Sequence, residues 1–231
     1  MRIPLTRYGL PQVWAYPAGL LILMGVLAGG LIAIKAWVTL GVSEVVLVLV
    51  LGWALSFFRD PVRVCPGDAG ILWAPADGKV SDVEFVDQLE GWDEPVLRIG
   101  IFLSIFNVHI NRAPARVRLD KVEYKPGRYI NAMNPNCGKV NEANALWFTH
   151  LDEPTCPMQV RQISGAIARR IVCEAKPQDN LAAGQTFGMI KFGSRTELIV
   201  PQRVGFKSLV AVGDKVKAGV TPMLRIEPCP E

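Results

Sequence analysis

The apolar runs PAGLLILMGVLAGGLIAI (residues 17–34) and AWVTLGVSEVVLVLVLGWALSFF (residues 36–58) decide how the chain is divided. A helix that crosses a membrane needs about 20 mostly apolar residues, and each run is close to that length. Lys35, between the runs, and Glu44 are the charged residues of this stretch. Because the connection is so short, the sequence predicts a helical hairpin that anchors residues 1–60 in a membrane.

The charges on either side of the hairpin predict its orientation. Arg2 and Arg7 precede it, and Arg59 and Arg63 follow it. Since positively charged flanks stay in the cytoplasm, both ends of the hairpin and the rest of the chain are predicted on the cytoplasmic side of the cell membrane. A cleaved signal peptide is the alternative, but no small-residue cleavage site separates the two runs. A hairpin that dips into one leaflet also stays open, because Glu44 is costly at mid-bilayer.

Composition excludes several classes of protein. The 231 residues have a net charge of +4 and no long run of Lys or Arg, so a nucleic-acid partner is not predicted. The five cysteines are odd in number and include no CxxC pair, and no histidine lies at ligand spacing. Neither a disulfide framework nor a metal site is therefore expected, and the cysteines are interpreted as thiols in a reducing compartment.

Residues 61–231 have a different pattern, in which short β-like runs are separated by Gly, Pro and Asp. Such turn signals between β-branched runs are typical of antiparallel sheets. We therefore predict a mainly β (α+β) domain, with one short helical turn within residues 163–171. The predicted strands are Gly78–Phe85, Val96–Phe102, Arg116–Tyr124, Met158–Ile163, Arg170–Glu174, Thr196–Val200 and Ser208–Val212.

The segment VGDKVKAGVT (residues 212–221) refines this fold class. It resembles the hairpin of barrel-sandwich folds, and its Gly and Asp residues suit tight turns between short strands. The modified lysine of a carrier domain, with its flanking methionines, is absent. The segment thus predicts a barrel-sandwich-like antiparallel domain behind the helical hairpin, without a swinging-arm cofactor.

Three residues in separate segments supply the parts of a self-processing serine. Ser194 follows Gly193 directly, His109 lies in FLSIFNVHINRAP (residues 102–114), and Asp77 lies in APADGKV (residues 74–80). A serine hydroxyl becomes a nucleophile when a neighbouring base takes its proton, and an aspartate can orient that base. Each residue alone also has a structural interpretation, as a turn, a core histidine or a loop. His150, the other histidine, is interpreted as part of a polar loop.

Taken together, the ordered motifs of the chain resemble the phosphatidylserine decarboxylase family, in its short bacterial and archaeal-type branch. The match covers nearly all of the sequence after the apolar runs. The motifs are FFRDPVR (57–63), PADGKV (75–80), FLSIFNVHINRAP (102–114), NEAN (141–144), VRQISGAIARRIVC (160–173), FGMIKFGSR (187–195) and VGDKVKAGVT (212–221).

The resemblance implies a zymogen that cleaves itself between Gly193 and Ser194, with Asp77, His109 and Ser194 as the processing triad. The products would be a β subunit, residues 1–193, and an α subunit, residues 194–231, held together as a heterodimer. Ser194 would become a covalent pyruvoyl group that forms a Schiff base with phosphatidylserine and accepts electrons as CO2 leaves. Phosphatidylethanolamine would be released without pyridoxal phosphate or a metal. A dimer of these heterodimers is compatible with the sequence, which does not establish it.

Four further residues are candidates for substrate binding: Phe106, Arg112, Asn141 and Glu142. Arg112 could instead form a surface salt bridge, Asn141 and Glu142 could stabilise a loop, and Phe106 could belong to the core. Long-form members of the family have another histidine, linked to decarboxylation, at the position of Phe106. His109, or a water that it holds, is therefore the candidate proton donor here.

Three other functions remain open at this stage. The same headgroup chemistry could act on archaetidylserine or another serine-headed lipid. A membrane-tethered barrel-sandwich adaptor would explain the anchor and VGDKVKAGVT, but it would leave Asp77, His109 and Gly193-Ser194 without a role. A soluble pyruvoyl amino-acid decarboxylase would have no use for a membrane hairpin.

Overall fold

The structure is a computed structural model that describes residues 5–134, 136–166, 170–191 and 193–226. The chain divides into two compact units, residues 1–62 and residues 63–231. Within the predicted helical turn of residues 163–171, positions 167–169 lie outside the described residues, and the ends of the range belong to strands.

The first unit is a pair of apolar helices. A short 3-10 helix, Arg7–Gly9, precedes α1 (Gln12–Ala33) and α2 (Trp37–Phe57). Both long helices have the length and composition of membrane spans, and most of their large apolar side chains are exposed. Such surfaces suit lipid better than water, so the pair indicates membrane association. The predicted N-terminal helical pair is confirmed.

The second unit is mainly β, as predicted. It contains one short helix, α3 (Cys137–Val140), and one 3-10 helix, Gln202–Val204, within its described residues. Its described strands are β1 (Ile71–Trp73), β2 (Gly78–Val86), β3 (Val96–Leu103), β4 (Ile110–Arg112), β5 (Val117–Lys125), β6 (Ala143–His150), β7 (Pro157–Ile163), β8 (Arg170–Cys173), β9 (Asn180–Leu181), β10 (Thr186–Lys191), β11 (Ser194–Pro201), β12 (Phe206–Ser208), β13 (Lys215–Val216) and β14 (Pro222–Ile226).

These strands form three antiparallel sheets. The largest has eight strands in the order β13-β2-β3-β11-β7-β6-β5-β9, and the smaller ones are β1-β14-β12 and β4-β10-β8. Strand β11 lies inside the large sheet, where it pairs along its length with β3 and over five residues with β7. The strand that begins at Ser194 is therefore bordered on both sides by strands from earlier in the chain.

The two faces of the large sheet differ in chemistry because side chains alternate along each strand. On β3, Leu97, Ile99 and Ile101 belong to the apolar core, as does Leu198 on β11. The opposite face includes Arg98 from β3 and, from β11, two buried residues, Arg195 and Glu197. The core thus lies on one face, and buried charge lies on the other.

Most predicted strands are confirmed within one or two residues, but three predictions at the local level are wrong. The strand predicted over Ser208–Val212 ends at Ser208, since β12 covers 206–208. The segment 212–221 is a two-residue strand between turns, paired with β2, rather than a two-stranded hairpin. His150 is not in a polar loop: it ends strand β6 and is buried.

Candidate active site

Ser194 is the first residue of β11 and lies opposite Leu103 at the end of β3. It is fully buried, and its Oγ atom has no hydrogen-bond partner within the described part of the chain. Buried hydroxyls are usually paired, so an unpaired one indicates a functional or chemical role. Gly193, directly before it, has a φ of +57°, in the left-handed region that favours glycine.

Gly165 fits against the carbonyl group of Gly193. A Cβ atom at position 165 would overlap the Gly193 carbonyl oxygen and would lie 3.1 Å from its carbonyl carbon. Because Gly165 has no side chain, the carbonyl group before Ser194 can occupy this position without a steric clash. Sequence reasoning missed this residue, although it lies within the quoted segment VRQISGAIARRIVC.

We expect Gly165→Ala to displace the Gly193 carbonyl, because the obstructed atoms belong to the backbone and cannot rotate away. If reaction occurs at this carbonyl, a displacement of about 1 Å should slow it roughly 100-fold. The measurement is the time course of chain cleavage at Gly193-Ser194, followed by gel electrophoresis. Gly25→Ala, on α1 where nothing lies within 4 Å, is the matched control. Equal cleavage of the two variants would contradict this role for Gly165.

A tight turn after β3 presents His109. The Asn107 side-chain oxygen accepts hydrogen bonds from the Ser104 amide and hydroxyl, both at 2.8 Å, and the Asn107 amide donates to the Ser104 carbonyl at 2.9 Å. His109 follows immediately before β4 and is fully buried. Its Nδ1 atom lies 3.0 Å from the carbonyl oxygen of Asn107. Because that oxygen can only accept, the proton belongs on Nδ1, and the lone pair of a neutral imidazole is then on Nε2.

The same loop joins β3, which pairs with β11, to β4, which pairs with β10. At one end of the loop, Leu103 pairs with Ser194, and at the other end the His109 carbonyl accepts from the Ile190 amide at 3.2 Å. The fold therefore brings the loop with His109, Ile190 and Ser194 into one corner of the domain. The role of His109 as the base for Ser194 stays a prediction.

Asp77 forms hydrogen bonds with Arg63 and Ala218, and its predicted role beside His109 stays a prediction. Its carboxylate accepts two hydrogen bonds from Arg63, one of them from Nη2 at 2.7 Å, and one from the Ala218 amide at 2.8 Å. Arg63 also donates to the Ala218 carbonyl at 2.8 Å. His109 Nδ1 donates a hydrogen bond to the Asn107 carbonyl, and this bond fixes the tautomer of the imidazole. Asp77 and Arg63 together hold the turn after β13.

Loss of Arg63 is expected to destabilise the domain. In Arg63→Ala, the Asp77 carboxylate, whose side chain is 10 % exposed, keeps the Ala218 amide but loses its cation. Breaking a buried ion pair in this way costs about 3 kcal/mol. The free energy of unfolding is to be compared in a Ser194→Ala background, so that no reaction of the Ser194 hydroxyl can interfere. Arg116→Ala, which removes an exposed pair with Asp152, should cost less than about 1 kcal/mol. Equal losses would show that the Asp77 pair has no special structural role.

Two of the four candidate substrate-binding residues lie at the loop before β6. The Asn141 side chain stabilises this loop through three hydrogen bonds. Its oxygen accepts from the Ile130 amide, and its nitrogen donates to the carbonyls of Ile130 and Ser164. Glu142 accepts from the Tyr124 hydroxyl at 2.8 Å, while its Oε2 atom is buried without a hydrogen-bond partner among the described residues. The loop-stabilising interpretation of Asn141 is confirmed, and substrate binding by either residue stays a prediction.

The structural alternatives for Arg112 and Phe106 were a surface salt bridge and a position in the core, and the burial of these two residues agrees with neither. Arg112 is buried and donates from Nη1 to the Gly184 carbonyl at 3.0 Å, so it is not a surface residue. Phe106, at the tip of the turn before His109, is 69 % exposed and does not belong to the core. Substrate binding by Phe106 or Arg112 stays a prediction.

A row of buried amide side chains lies near β11, and sequence reasoning missed it. Asn111 donates to the Thr196 hydroxyl at 3.1 Å and accepts from Gln162 at 2.9 Å, and Gln162 in turn accepts from Asn144 at 3.1 Å. Thr196 is two residues after Ser194, on the same face of the strand. The row fixes the polar side of the site across four strands.

Two side chains on the paired strands β10 and β8 have shifted pKa values. Burial, followed by the charge of Arg170, lowers the pKa of Lys191, which is three residues before Ser194 on β10. Burial raises the pKa of the Cys173 thiol.

Among the residues that the structure describes, no group of three His, Cys, Asp or Glu side chains could hold a metal ion.

Comparison with known proteins identifies the family of the chain. The sequence profile of the family described as phosphatidylserine decarboxylase matches residues 50–223. A phosphatidylserine decarboxylase proenzyme of Gluconacetobacter diazotrophicus is 45 % identical over 181 residues, which are 77 % of this chain and 79 % of the relative. Another, of Xanthobacter autotrophicus, is 42 % identical over 172 residues, which are 73 % of this chain and 72 % of the relative. The chain therefore belongs to the phosphatidylserine decarboxylase family.

Proposed function

We propose that this protein is a membrane-associated proenzyme that cleaves its own chain between Gly193 and Ser194 and then decarboxylates phosphatidylserine to phosphatidylethanolamine. The observation that supports it most is the buried Oγ of Ser194, which has no hydrogen-bond partner among the described residues and follows a left-handed glycine. Membership of a family whose relatives are named as proenzymes supports both parts of the proposal.

In the proposed cleavage, His109 Nε2 takes the hydroxyl proton of Ser194 while Oγ attacks the carbonyl carbon of Gly193. The carbon–oxygen bond forms, the peptide carbon–nitrogen bond breaks, and the imidazolium returns its proton to the departing nitrogen of Ser194. The product is an ester with a free amine. Loss of the Cα proton of residue 194 then expels the Gly193 carboxylate, and water converts the resulting enamine to a ketone with release of ammonia.

The site fits a pyruvoyl group at position 194. The serine is fully buried and its Oγ forms no hydrogen bond with the described residues, so losing Oγ as Cβ becomes the pyruvoyl methyl group breaks no such bond there. The ketone oxygen would replace the nitrogen on Cα of residue 194. The group would supply a ketone that binds the substrate amine and accepts the electrons left by CO2. His109, held through Nδ1 by Asn107, would then hold or move a proton at Nε2.

The two fragments, residues 1–193 and 194–231, are expected to remain together as a heterodimer. Strand β11 of the small fragment lies between β3 and β7 of the large one, and β14 pairs with β1. Removing such strands would expose backbone hydrogen-bonding groups and the apolar core. The cleaved enzyme therefore keeps the sheet of the uncleaved chain.

The helical pair supplies a reason for a lipid substrate. Two apolar helices place the chain at a bilayer, where phosphatidylserine resides. Arg7, Arg59 and Arg63 flank the pair at its two ends, so the positive-inside rule favours a cytoplasmic location for residues 63–231. A phosphatidylserine headgroup on that leaflet would be the one available to the enzyme.

The proposal is tested by the intact mass of the purified protein, unfolded from detergent. Expected is a small fragment that begins at position 194, with a mass that fits a pyruvoyl group in place of serine and increases after reaction with phenylhydrazine. The large fragment should be unchanged by phenylhydrazine. A single full-length mass from protein that decarboxylates phosphatidylserine would overturn the pyruvoyl mechanism.

A further inference from the structure

A network of buried ion pairs begins at the residue after Ser194. Arg195 donates from Nη2 to Asp82 at 2.7 Å, from Nε to Glu197 at 2.9 Å and from Nη1 to the Ser81 hydroxyl at 2.9 Å. The side chains of Arg195 and Glu197 are 8 % and 1 % exposed. Asp82 belongs to β2, so the network crosses β3 to reach another strand of the large sheet.

On its other side the network reaches β7. Glu197 accepts from Arg161 Nη1 at 3.0 Å, and Arg161 Nη2 donates to the Gly138 carbonyl at 2.6 Å. Arg195 and Glu197 lie on β11, whereas Asp82 and Arg161 precede position 193. Cleavage between Gly193 and Ser194 would therefore make the Arg195–Asp82 and Glu197–Arg161 pairs contacts between two separate fragments.

The backbone has two features that create space for Arg195. The register of β2 against β3 shifts between Val80 and Asp82, and Asp82 then lies opposite Gly100. A Cβ atom at Gly100 would overlap both the Asp82 carboxylate and the Arg195 guanidinium. The bulge reorients the Asp82 side chain, and Gly100 allows the two charged groups to approach the backbone closely. Together they form a slot for this pair.

We infer that Arg195 is a positioning residue, whose ion pairs keep the start of β11 in place once the chain has been cut before Ser194. The inference rests on the proposed self-cleavage and assigns the network a role after it. Before the cut, position 194 is held by covalent bonds on both sides. Afterwards it is a chain end, and chain ends fray unless other contacts hold them.

The network suits this role because it stays charged. Burial alone would lower the pKa of Arg195, but the hydrogen bond to Asp82 and the charges of Glu197 and Asp82 outweigh burial and raise it. Burial alone would raise the pKa of Asp82, but the hydrogen bond and charge of Arg195 lower it overall. In the uncut chain both shifts favour the ionised forms, so the Arg195–Asp82 contact is an ion pair there.

The test compares Arg195→Lys with the parent enzyme. Lysine keeps the charge but cannot reach Asp82, Glu197 and Ser81 together with one planar fork. The cleaved fraction should stay within about twofold of the parent. The kcat per pyruvoyl group, counted with phenylhydrazine, should fall roughly 10- to 100-fold, since a displacement of about 1 Å at a reacting group has such an effect. Arg116→Lys, at an exposed pair with Asp152, is the matched control and should keep the parental kcat.

Hydrogen exchange supplies a readout that a purely structural role would not move. Amides of residues 195–198 should exchange faster in cleaved Arg195→Lys than in the cleaved parent. In the uncleaved Ser194→Ala background, the same substitution should leave exchange nearly unchanged, because the chain still holds the strand. Equal acceleration in both backgrounds would overturn the inference.

A second variant, Asp82→Asn, covers the case in which Arg195→Lys does not fold. The amide introduced by this substitution can still accept a hydrogen bond but carries no charge, and kcat per pyruvoyl should again fall while cleavage continues. Loss of cleavage in both variants would show that the network acts before the cut, and an unchanged kcat in both would remove any positioning role. A parent that is never cleaved would instead refute the proposed function itself.

Discussion

Ser194→Ala is expected to give a single uncleaved chain with no decarboxylase activity. The substitution removes the hydroxyl that is both the nucleophile of the cleavage and, once acylated, the leaving group of the elimination, so no ketone can form. The chain should fold as well as the parent, because the buried Oγ has no hydrogen-bond partner among the described residues and its loss leaves no group unpaired. The measurements are intact mass and CO2 release from radiolabelled phosphatidylserine.

Ser208→Ala is the control for that experiment. Ser208 ends β12, and its hydroxyl bonds the Val210 carbonyl at 2.7 Å, away from β11 and the Gly193 carbonyl. It should be cleaved and active like the parent. Release of CO2 by uncleaved Ser194→Ala would mean that the reactive carbonyl has another source.

His109→Ala should slow cleavage by a factor of about 100 to 10,000, the range over which a positioned general base contributes. His109 is fully buried, and its Nδ1 proton bonds the Asn107 carbonyl, so water cannot easily substitute for it in the same geometry. The experiment follows the conversion of full-length chain after synthesis in a cell-free system containing lipid vesicles. Far-UV circular dichroism of the accumulated chain shows whether it has folded.

The other histidine provides the comparison. His150 is also buried, at the end of β6, where Nδ1 lies 3.3 Å from the Pro154 carbonyl. His150→Gln perturbs a buried imidazole outside the corner that contains Ser194, and cleavage should proceed within a few-fold of the parental rate. Comparable slowing in the two variants would indicate a general effect of core damage rather than loss of a base.

Much of the fold could be predicted because its signals are local. Two apolar runs separated by one lysine predict a helical pair, and alternating runs such as Val96–Phe102 predict strands of a half-apolar sheet. Several strands were not predicted, and β6 and β10 are the longest of them. Their sequences, ANALWFTH and TFGMIK, lie within or beside motifs that drew attention for their chemistry, and β10 contains a glycine in its interior.

The site could be predicted in its residue types but not in its partners. Ser194 and His109 stand out because a Gly-Ser bond and one of only two histidines are rare features of this chain. The Arg63–Asp77 pair and the Arg195–Asp82 pair join residues that are 14 and 113 positions apart. The first pair joins two residues outside strands, and the second depends on strand register and on a β-bulge before Asp82. Neither kind of contact is encoded in local periodicity.

The position of β11 inside the large sheet has a consequence for how the molecule is assembled. While the chain is continuous, the segment after Gly193 reaches its slot between β3 and β7 as a tethered, intramolecular partner at high effective concentration. Cleavage after folding leaves the native contacts in place but removes the covalent link that made the pairing of β11 with β3 and β7 intramolecular. The mature enzyme would then be kinetically trapped in a structure that its separated pieces cannot readily rebuild.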